Sequence, residues 1–396
     1  MARGYLRQRT KGSWSLTVEL DPDPITGKRR QKFETVLGTK KQAEERLAKL
    51  LNEAATGLLL AETTTWTLAE YLRHWLVAYA AQNCRPKTQA GYTDLCEKLI
   101  IPLAGHVKLA KLTGAHLREM YTTLLTKGRP GGRPLSARTV QHTHRVLKEA
   151  LSHAVKWQMI PRNVADAVDP PRPERKEMQT WNADEARRFL SVVTATTADG
   201  AESVPYGMAL AFALQTGVRK GELLGLRWQD VSLEHGTVQI SQTIQRVQRM
   251  GLVVGQPKTS RGRRRIKLTA TMIELLKTHK ARQNAVRLQL GPAWEGHDLV
   301  FCTPLGTPLD PRNIYRSFVT ACTRAGVPRI PFHSLRHTHA TLLLMENVPA
   351  KIVSERLGHA NIGMTLDTYS HVLPEMQDMA VGKLEELLNV KAVGKA

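Results

Sequence analysis

The stretch "LGHANIGMTLDTYSHV", residues 357–372, sets a histidine, His359, ten residues ahead of a tyrosine, Tyr369. The tyrosine's neighbours are Asp367, Thr368, Ser370 and His371. A tyrosine destined for a core usually has apolar neighbours. This polar setting predicts a side chain that reaches the solvent side of its domain.

A lone tyrosine or histidine is more often structural than chemical, so any weight must come from what accompanies the pair. Upstream, "TGVRKGELLGLRWQDV" (216–231) closes one helix at Thr216-Gly217 and opens another near Val218, with Arg219 and Glu222 three apart on one face. Such a pair is commonly an exposed ion pair of little value. The other reading is a carboxylate that fixes an arginine whose planar fork grips a phosphate. "PKTSRGRRRIKL" (257–268) puts Lys258 at a strand-and-turn tip, with Arg261 and Arg263 following it. By default this is an exposed basic hairpin; on a nucleic-acid-binding protein the tip reaches a groove and most of its charges meet phosphates.

"HSLRHTHATLLL" (333–344) predicts a helix capped by Ser334, with His333 and Arg336 on one face. His333 and His337 have the i, i+4 spacing of a zinc helix, and His339 is close by. The glutamate of H-E-x-x-H is missing and no further ligand cluster accompanies them, so no metal site is expected.

The whole chain, 396 residues, carries 57 Lys and Arg against 35 Asp and Glu, a formal charge of +22. That balance points to a polyanionic partner, nucleic acid before an anionic membrane. Cys84, Cys96, Cys302 and Cys322 form no C-x-x-C pair and are too few for a disulfide framework, which suits a reducing compartment. The start "MARGYLRQRT" lacks the apolar core of a signal peptide, and no apolar run has membrane-spanning length. A cytoplasmic, nucleoid-associated protein without membrane contact is expected.

Three domains are expected. Residues 1–62 read as a small α+β unit: strands over 13–21 and 28–36, then a helix with a Thr39–Gln42 capping box that Gly57 ends. Arg29, Arg30 and Lys32 are the nucleic-acid contacts proposed within its basic strands. Residues 66–168 read as all helical, with helices over 87–100, 114–126 and 136–157, and with tryptophans and tyrosines that belong to a core. The proline-rich "VDPPRPERKEMQT" (168–180) reads as a linker. Residues 176–396 read as mainly helical, beginning with a cap at Asn182 and Glu185. Strands at 236–247 and 263–269 predict a small antiparallel sheet there.

The order arginine, hairpin lysine, H-x-x-R, histidine, tyrosine resembles the tyrosine recombinases, the phage-integrase family. The resemblance spans essentially the whole chain. It implies a multidomain fold of arm-type DNA-binding, core-binding and catalytic domains, and a catalytic set of Arg219, Lys258, His333, Arg336, His359 and Tyr369. It also implies strand exchange through a 3′-phosphotyrosyl intermediate, with Tyr369 as nucleophile and no cofactor. The arginines would hold the phosphate, Lys258 would protonate the leaving oxygen, His333 would exchange a proton with the tyrosine, and His359 would bond the phosphate. Implied partners are double-stranded attachment sites, a homotetramer on DNA, and an excisionase or a DNA-bending host factor. An integrase of a mobile element is the leading expectation. A chromosome- or plasmid-dimer resolvase is the alternative, ahead of a type IB topoisomerase or a non-catalytic DNA-binding protein.

Overall fold

The computed structural model describes residues 3–22, 29–55, 65–129, 131–174, 178–198, 200–257, 260–369 and 373–388. The chain divides into two compact units, Met1–Arg175 and Lys176–Ala396.

The first unit opens with an antiparallel sheet of β1 (Gly4–Thr10), β2 (Ser13–Leu20) and β3 (Arg30–Leu37), in that order. β1 was not anticipated, because arginines hide its alternation. Leu16, Val18 and Leu20 project from one face of β2 and pack on Ala43 and Leu50 of α1 (Lys40–Ala55). The α1 entry is capped reciprocally: Thr39 N–H donates to Gln42 Oε1 at 2.9 Å, and Gln42 N–H to Thr39 Oγ1 at 3.4 Å. Gly57, the expected end of this helix, lies outside the described residues. The other face of the sheet is open. Tyr5, Thr17 and Phe33 stand side by side across it, with Tyr5 54% and Phe33 64% exposed.

The remainder of this unit is helical: α2 (Leu68–Trp75), α3 (Pro86–Leu95), α4 (Gly114–Thr126) and α5 (Ala137–Lys156). Its aromatic residues are core residues. Tyr71 is buried and its hydroxyl donates to the Ala150 carbonyl, while Trp75 Nε1 donates to His153 Nδ1 at 3.1 Å. Burying such rings is affordable only when the polar tip finds a partner.

The second unit packs α6 (Ala183–Thr194), α7 (Gly207–Thr216), α8 (Lys220–Leu224), α9 (Ala270–Leu290), α10 (Pro311–Ala325) and the start of α11 (Ser334–Met345) around one large apolar core, while the second half of α11 joins α12 (Ala350–Leu357) and α13 (Gly363–Tyr369) in a smaller one. A last helix, α14 (Leu373–Leu388), follows. α6 starts with the expected Asn182–Glu185 reciprocal cap. The small sheet is antiparallel but is built in two pieces. β4 (Val231–Ser232), β5 (Thr237–Gln239) and β8 (Arg265–Lys267) form one, and β6 (Thr243–Val247) with β7 (Gly251–Gly255) forms a separate hairpin. The single strand expected over 236–247 therefore breaks. Ile240 still pairs with Arg264, but Thr243 turns away to pair with Gly255. No described helix is long and apolar enough to cross a membrane.

Candidate active site

α7, "GMALAFALQT", is apolar all round and buried through most of its length, as a helix inside a core must be. It ends at Gly217, whose φ of +66° is the left-handed C-terminal turn. A side chain there would also collide, since a Cβ would lie 2.7 Å from His339 Cδ2. This sharp stop aims the Gly217 carbonyl at Arg336, which donates to it through Nη1 at 2.8 Å.

Two residues on, Arg219 is the N-cap of α8. Its backbone N–H donates to Glu222 Oε2 at 2.9 Å, and its Nη1 to Glu222 Oε1 at 2.8 Å. This is no surface pair, because Glu222 is 2% exposed. The buried Arg264 donates to the same carboxylate, Nη2 to Oε2, at 3.0 Å. Burial alone would raise the Glu222 pKa; the guanidiniums of Arg264 and then Arg219, with the Arg219 N–H, outweigh it and hold the carboxyl below its usual range. Arg264 also donates to the carbonyls of Arg356 and Gly262, at 2.6 and 3.2 Å. In sequence Arg264 is one of a run of arginines with nothing to set it apart, and only its burial distinguishes it.

α11 presents His333, Arg336 and His337 at spacings of three and four, which share a side of a helix. His333, not Ser334, occupies the N-cap position, and no side chain caps this helix; Ser334 is buried within its first turn. Arg336 is 2% exposed. Its Nη2 has no hydrogen-bond partner among the described residues, although it is buried. An orphaned guanidinium N–H costs free energy unless something fills the place opposite it. Burial, then the positive charges of Arg219 and Arg264, press the Arg336 pKa down.

The three histidines with near-zinc spacing are dispersed to different tasks. His339 is buried and accepts from Arg356 Nε at 3.0 Å. His333 keeps an exposed edge, yet desolvation of the rest of its ring, then Arg336 and Arg219, lower its pKa. His337 Nδ1 shares a 2.9 Å hydrogen bond with the Tyr369 hydroxyl. Among the described residues no group of three or more His, Cys, Asp or Glu is placed to hold a metal ion.

Tyr369 corrects the reading of its polar setting. It is 1% exposed and packs with Ala340, Leu344, Val353 and Leu357. The local sequence misleads because α13 is amphipathic at short range: Thr365 and Tyr369, four apart, face inward while Asp367 and Thr368 do not. Burial pushes the Tyr369 pKa up to about 12, against the pull of Arg336.

His359 follows Gly358, whose φ is +69° and which lies so close to Arg264 that a Cβ would approach its Cδ to 2.8 Å. The His359 Nδ1 shares a 2.8 Å hydrogen bond with Thr365 Oγ1. Burial, Arg336, Arg219 and Arg264 bring its pKa down to about 4. Arg219 Nη2 donates to the Gly358 carbonyl at 3.4 Å, which ties this turn to α8. Arg219, Arg336, His333, His359 and Tyr369 are thus gathered in one place, beside a cleft lined by Arg261, Arg263, Lys351 and Asn361. Lys258 lies outside the described residues.

The proposed DNA contacts are divided. Arg261 donates to the Ala360 carbonyl, and Arg263 to Gln256 Oε1 at 2.8 Å; both remain exposed. In the first unit, Arg29 pairs with Glu19, and Arg30 donates to the carbonyls of Asp21 and Pro22 at 3.0 and 3.2 Å. Arg30 and Lys32 fall on the sheet face that α1 covers, by their register opposite Leu20 and Val18.

The Phage integrase family model matches residues 180–376, and the model for the phage integrase N-terminal SAM-like domain matches residues 67–125. An integrase of Streptomyces ambofaciens is 30% identical over 382 residues, covering 93% of this chain and 92% of that protein. The chain belongs to the phage integrase family. A protein named tyrosine recombinase XerC-like, from Caldanaerobacter subterraneus subsp. tengcongensis, is 29% identical across 88% of this chain and 90% of its own. The ICEBs1 integrase of Bacillus subtilis is 24% identical across 97% and 100%. Among solved structures, the Tn1549 transposon integrase in complex with transposon right end DNA superposes with a TM-score of 0.63 at 20% identity, covering 79% of this chain and 99% of that one. A lambda integrase tetramer bound to a Holliday junction gives 0.55 at 18%, covering 92% and 94%. As a family member the chain is a tyrosine-type site-specific DNA recombinase, of the integrase kind found in mobile elements.

Proposed function

We propose that this recombinase cuts and rejoins DNA strands at Tyr369, with Arg219, Arg336, His333 and His359 around the scissile phosphate and Lys258 as the donor to the leaving group. The observation that carries the reading is the unpartnered Nη2 of Arg336, buried in a site that its relatives' activity requires to receive a phosphate. The phosphate's non-bridging oxygens gain charge as the tyrosine attacks, and fixed guanidinium donors stabilise that charge without reorganising. The tyrosine oxygen bonds phosphorus, and the bond to the 5′-oxygen of the next nucleotide breaks. The proton leaves Tyr369, and one is supplied to the departing oxygen. A 3′-phosphotyrosyl ester and a free 5′-hydroxyl result. The ester conserves the energy of the broken bond, so a 5′-hydroxyl of another strand reverses the step without a nucleotide cofactor.

The partner is duplex DNA at attachment sites, engaged by four copies during exchange, with an excisionase or a DNA-bending host protein directing the outcome. Cytoplasmic, nucleoid-associated localisation follows from that partner. In the first unit the open sheet face, with Tyr5, Arg7, Phe33 and Thr35, is the better candidate for arm-site contact than Arg30 and Lys32, while Arg29, exposed beside Glu19, remains a candidate. Strands can read the major groove, and this face is exposed, aromatic and basic where the other is packed.

The test is a nicked suicide substrate followed by denaturing electrophoresis. Tyr369→Phe is expected to bind its site and give no covalent adduct. Arg336→Ala is expected to lose about 10²–10³ in cleavage rate, the usual cost of removing a transition-state donor. An adduct from Tyr369→Phe would overturn the assignment of the nucleophile.

A further inference from the structure

The carbonyl end of α7 is met by side chains from α11 and α12. His339 bonds the Leu214 carbonyl, Arg356 Nη2 donates to that of Gln215 at 3.2 Å, and Arg336 Nη1 donates to that of Gly217 at 2.8 Å. The last carbonyls of a helix lack intrahelical partners and carry the negative end of its dipole, so they attract cations. Among the described residues neither arginine is hydrogen-bonded to a carboxylate. The end of α7 stands in for one.

Arg356 uses the rest of its fork on two other elements. Its Nε donates to His339 Nε2 at 3.0 Å, and its Nη1 to the Lys267 carbonyl at the end of β8, at 2.9 Å. One planar guanidinium therefore ties α7, α11 and β8 together. All its acceptors are neutral, and burial, then Arg264, pushes its pKa down. His339 is held down to about 3, so its ring is neutral and its Nε2 can accept. Arg336 is close enough to contribute to that lowering. Withdrawing a guanidinium from water onto neutral partners costs free energy, and an apolar side chain of similar volume often packs as well or better. Stability alone does not account for an arginine here.

We propose that Arg356, with His339, is a positioning residue for Arg336: the pair fixes the carbonyl end of α7 against α11, so that Arg336 is seated on Gly217 by one nitrogen and keeps the other, Nη2, open for a phosphate oxygen. The inference rests on the reading of Arg336 as a phosphate donor. Arg356 touches no substrate in this scheme. Without it, the Gln215 carbonyl and the His339 nitrogen lose their donor, and the Arg336 guanidinium can turn to them instead of to the phosphate.

The test is adduct formation on two suicide substrates, one with an ordinary scissile phosphate and one with a methylphosphonate in its place, each variant compared with wild type on the same substrate. A methylphosphonate lacks the charge of one non-bridging oxygen, so a missing or misplaced guanidinium matters less. Arg336→Ala is the reference: it should lose about 10²–10³ in rate on the phosphate and much less on the methylphosphonate. Arg356→Met is expected to lose about 100-fold on the phosphate, the scale of a misplacement of about 1 Å, to bind its site as wild type does, and to show the same relief on the methylphosphonate. Arg356→Lys keeps the charge but cannot reach all three acceptors, so it should fall between. His339→Phe keeps a ring and removes the acceptor, and should shift in the same sense. These two variants carry the comparison if Arg356→Met does not fold. Cleavage of the phosphate at the wild-type rate by folded Arg356→Met would overturn the proposal. A loss equal on both substrates, tracking a fall in melting temperature, would reduce Arg356 to a structural brace and overturn it too. Relief for Arg336→Ala without relief for the Arg356 variants rejects the positioning role alone. No relief for Arg336→Ala rejects its reading as a phosphate donor, and the positioning role with it.

Discussion

Glu222 has one carboxylate and two guanidiniums to hold. Arg219 faces the site and Arg264 is buried behind it. Removing the charge leaves Arg264 without its counter-ion, and stranding one member of a buried pair typically costs about 3–5 kcal/mol. Glu222→Gln is therefore expected to lower the melting temperature by several degrees and to weaken cleavage, because Arg219 loses the partner that fixes its fork. Glu222→Asp, one methylene shorter, should recover stability only in part. Melting curves with single-turnover cleavage on the same samples check both effects. A second residue-scale expectation concerns acid. His337 and His359 sit at about 4 and His339 at about 3, all below the ordinary 6.5. Between those values the unfolded chain binds protons that the folded chain refuses. Stability is complete above about pH 6.5 and falls as pH drops toward 4. A pH series of melts should show this, and the variant His339→Gln should flatten the lower part of the curve if it folds.

At the level of elements, α7 is a rod whose end sets the position of Arg336. Gly217→Ala forces a side chain into a left-handed turn and against the His339 ring and Leu357. Expected outcomes are a loss of stability of about 1–3 kcal/mol, as for strained backbone positions, and a larger proportional loss of cleavage than of DNA binding, read by gel shift beside the suicide assay. Helices of this kind were legible in the sequence because burial writes a periodic pattern: 114–126 was anticipated to the residue, and the capping pairs Thr39–Gln42 and Asn182–Glu185 formed as read. β1 and β7 were not anticipated. In β1 arginines occupy exposed positions beside Tyr5, and β7 is a short run between glycines that leaves Val254 exposed, so the period of two is faint in both. Within the site, the motif residues were legible as types in order, while their depth was not. Nothing local in "DTYSHV" says that α12 and the second half of α11 close over Tyr369. In sequence His337 reads only as a metal-ligand type, because its real partner lies 32 residues away.

The whole molecule carries its charge unevenly in kind. The first unit offers an open, aromatic and basic sheet face; the second offers an arginine-lined cleft at its chemical centre. If these engage different stretches of DNA, deleting residues 1–62 should spare cleavage of a core oligonucleotide and abolish binding to an arm oligonucleotide. Tyr5→Ala with Phe33→Ala should reproduce the arm defect in the intact chain, whereas Arg30→Ala should change it less. Arm affinity should fall steeply with salt, log K declining in proportion to the phosphates neutralised. Gel shifts with the two oligonucleotides across a salt series decide it. Arm binding by the truncated chain equal to that of the full one would remove the role of the sheet.

The crossing of three chain segments at Gly358 bears on how such proteins can be hybridised. Arg219 reaches the Gly358 carbonyl, Arg264 reaches the Arg356 carbonyl, and Arg261 reaches that of Ala360. Residues 219–222, 261–264 and 356–360 are far apart in the gene but form one mechanical joint. A chimera that takes only one of them from a relative inherits a guanidinium cut for another protein's turn. Junctions placed so that all three come from the same parent should yield active hybrids, and those that split the set should yield folded but silent ones.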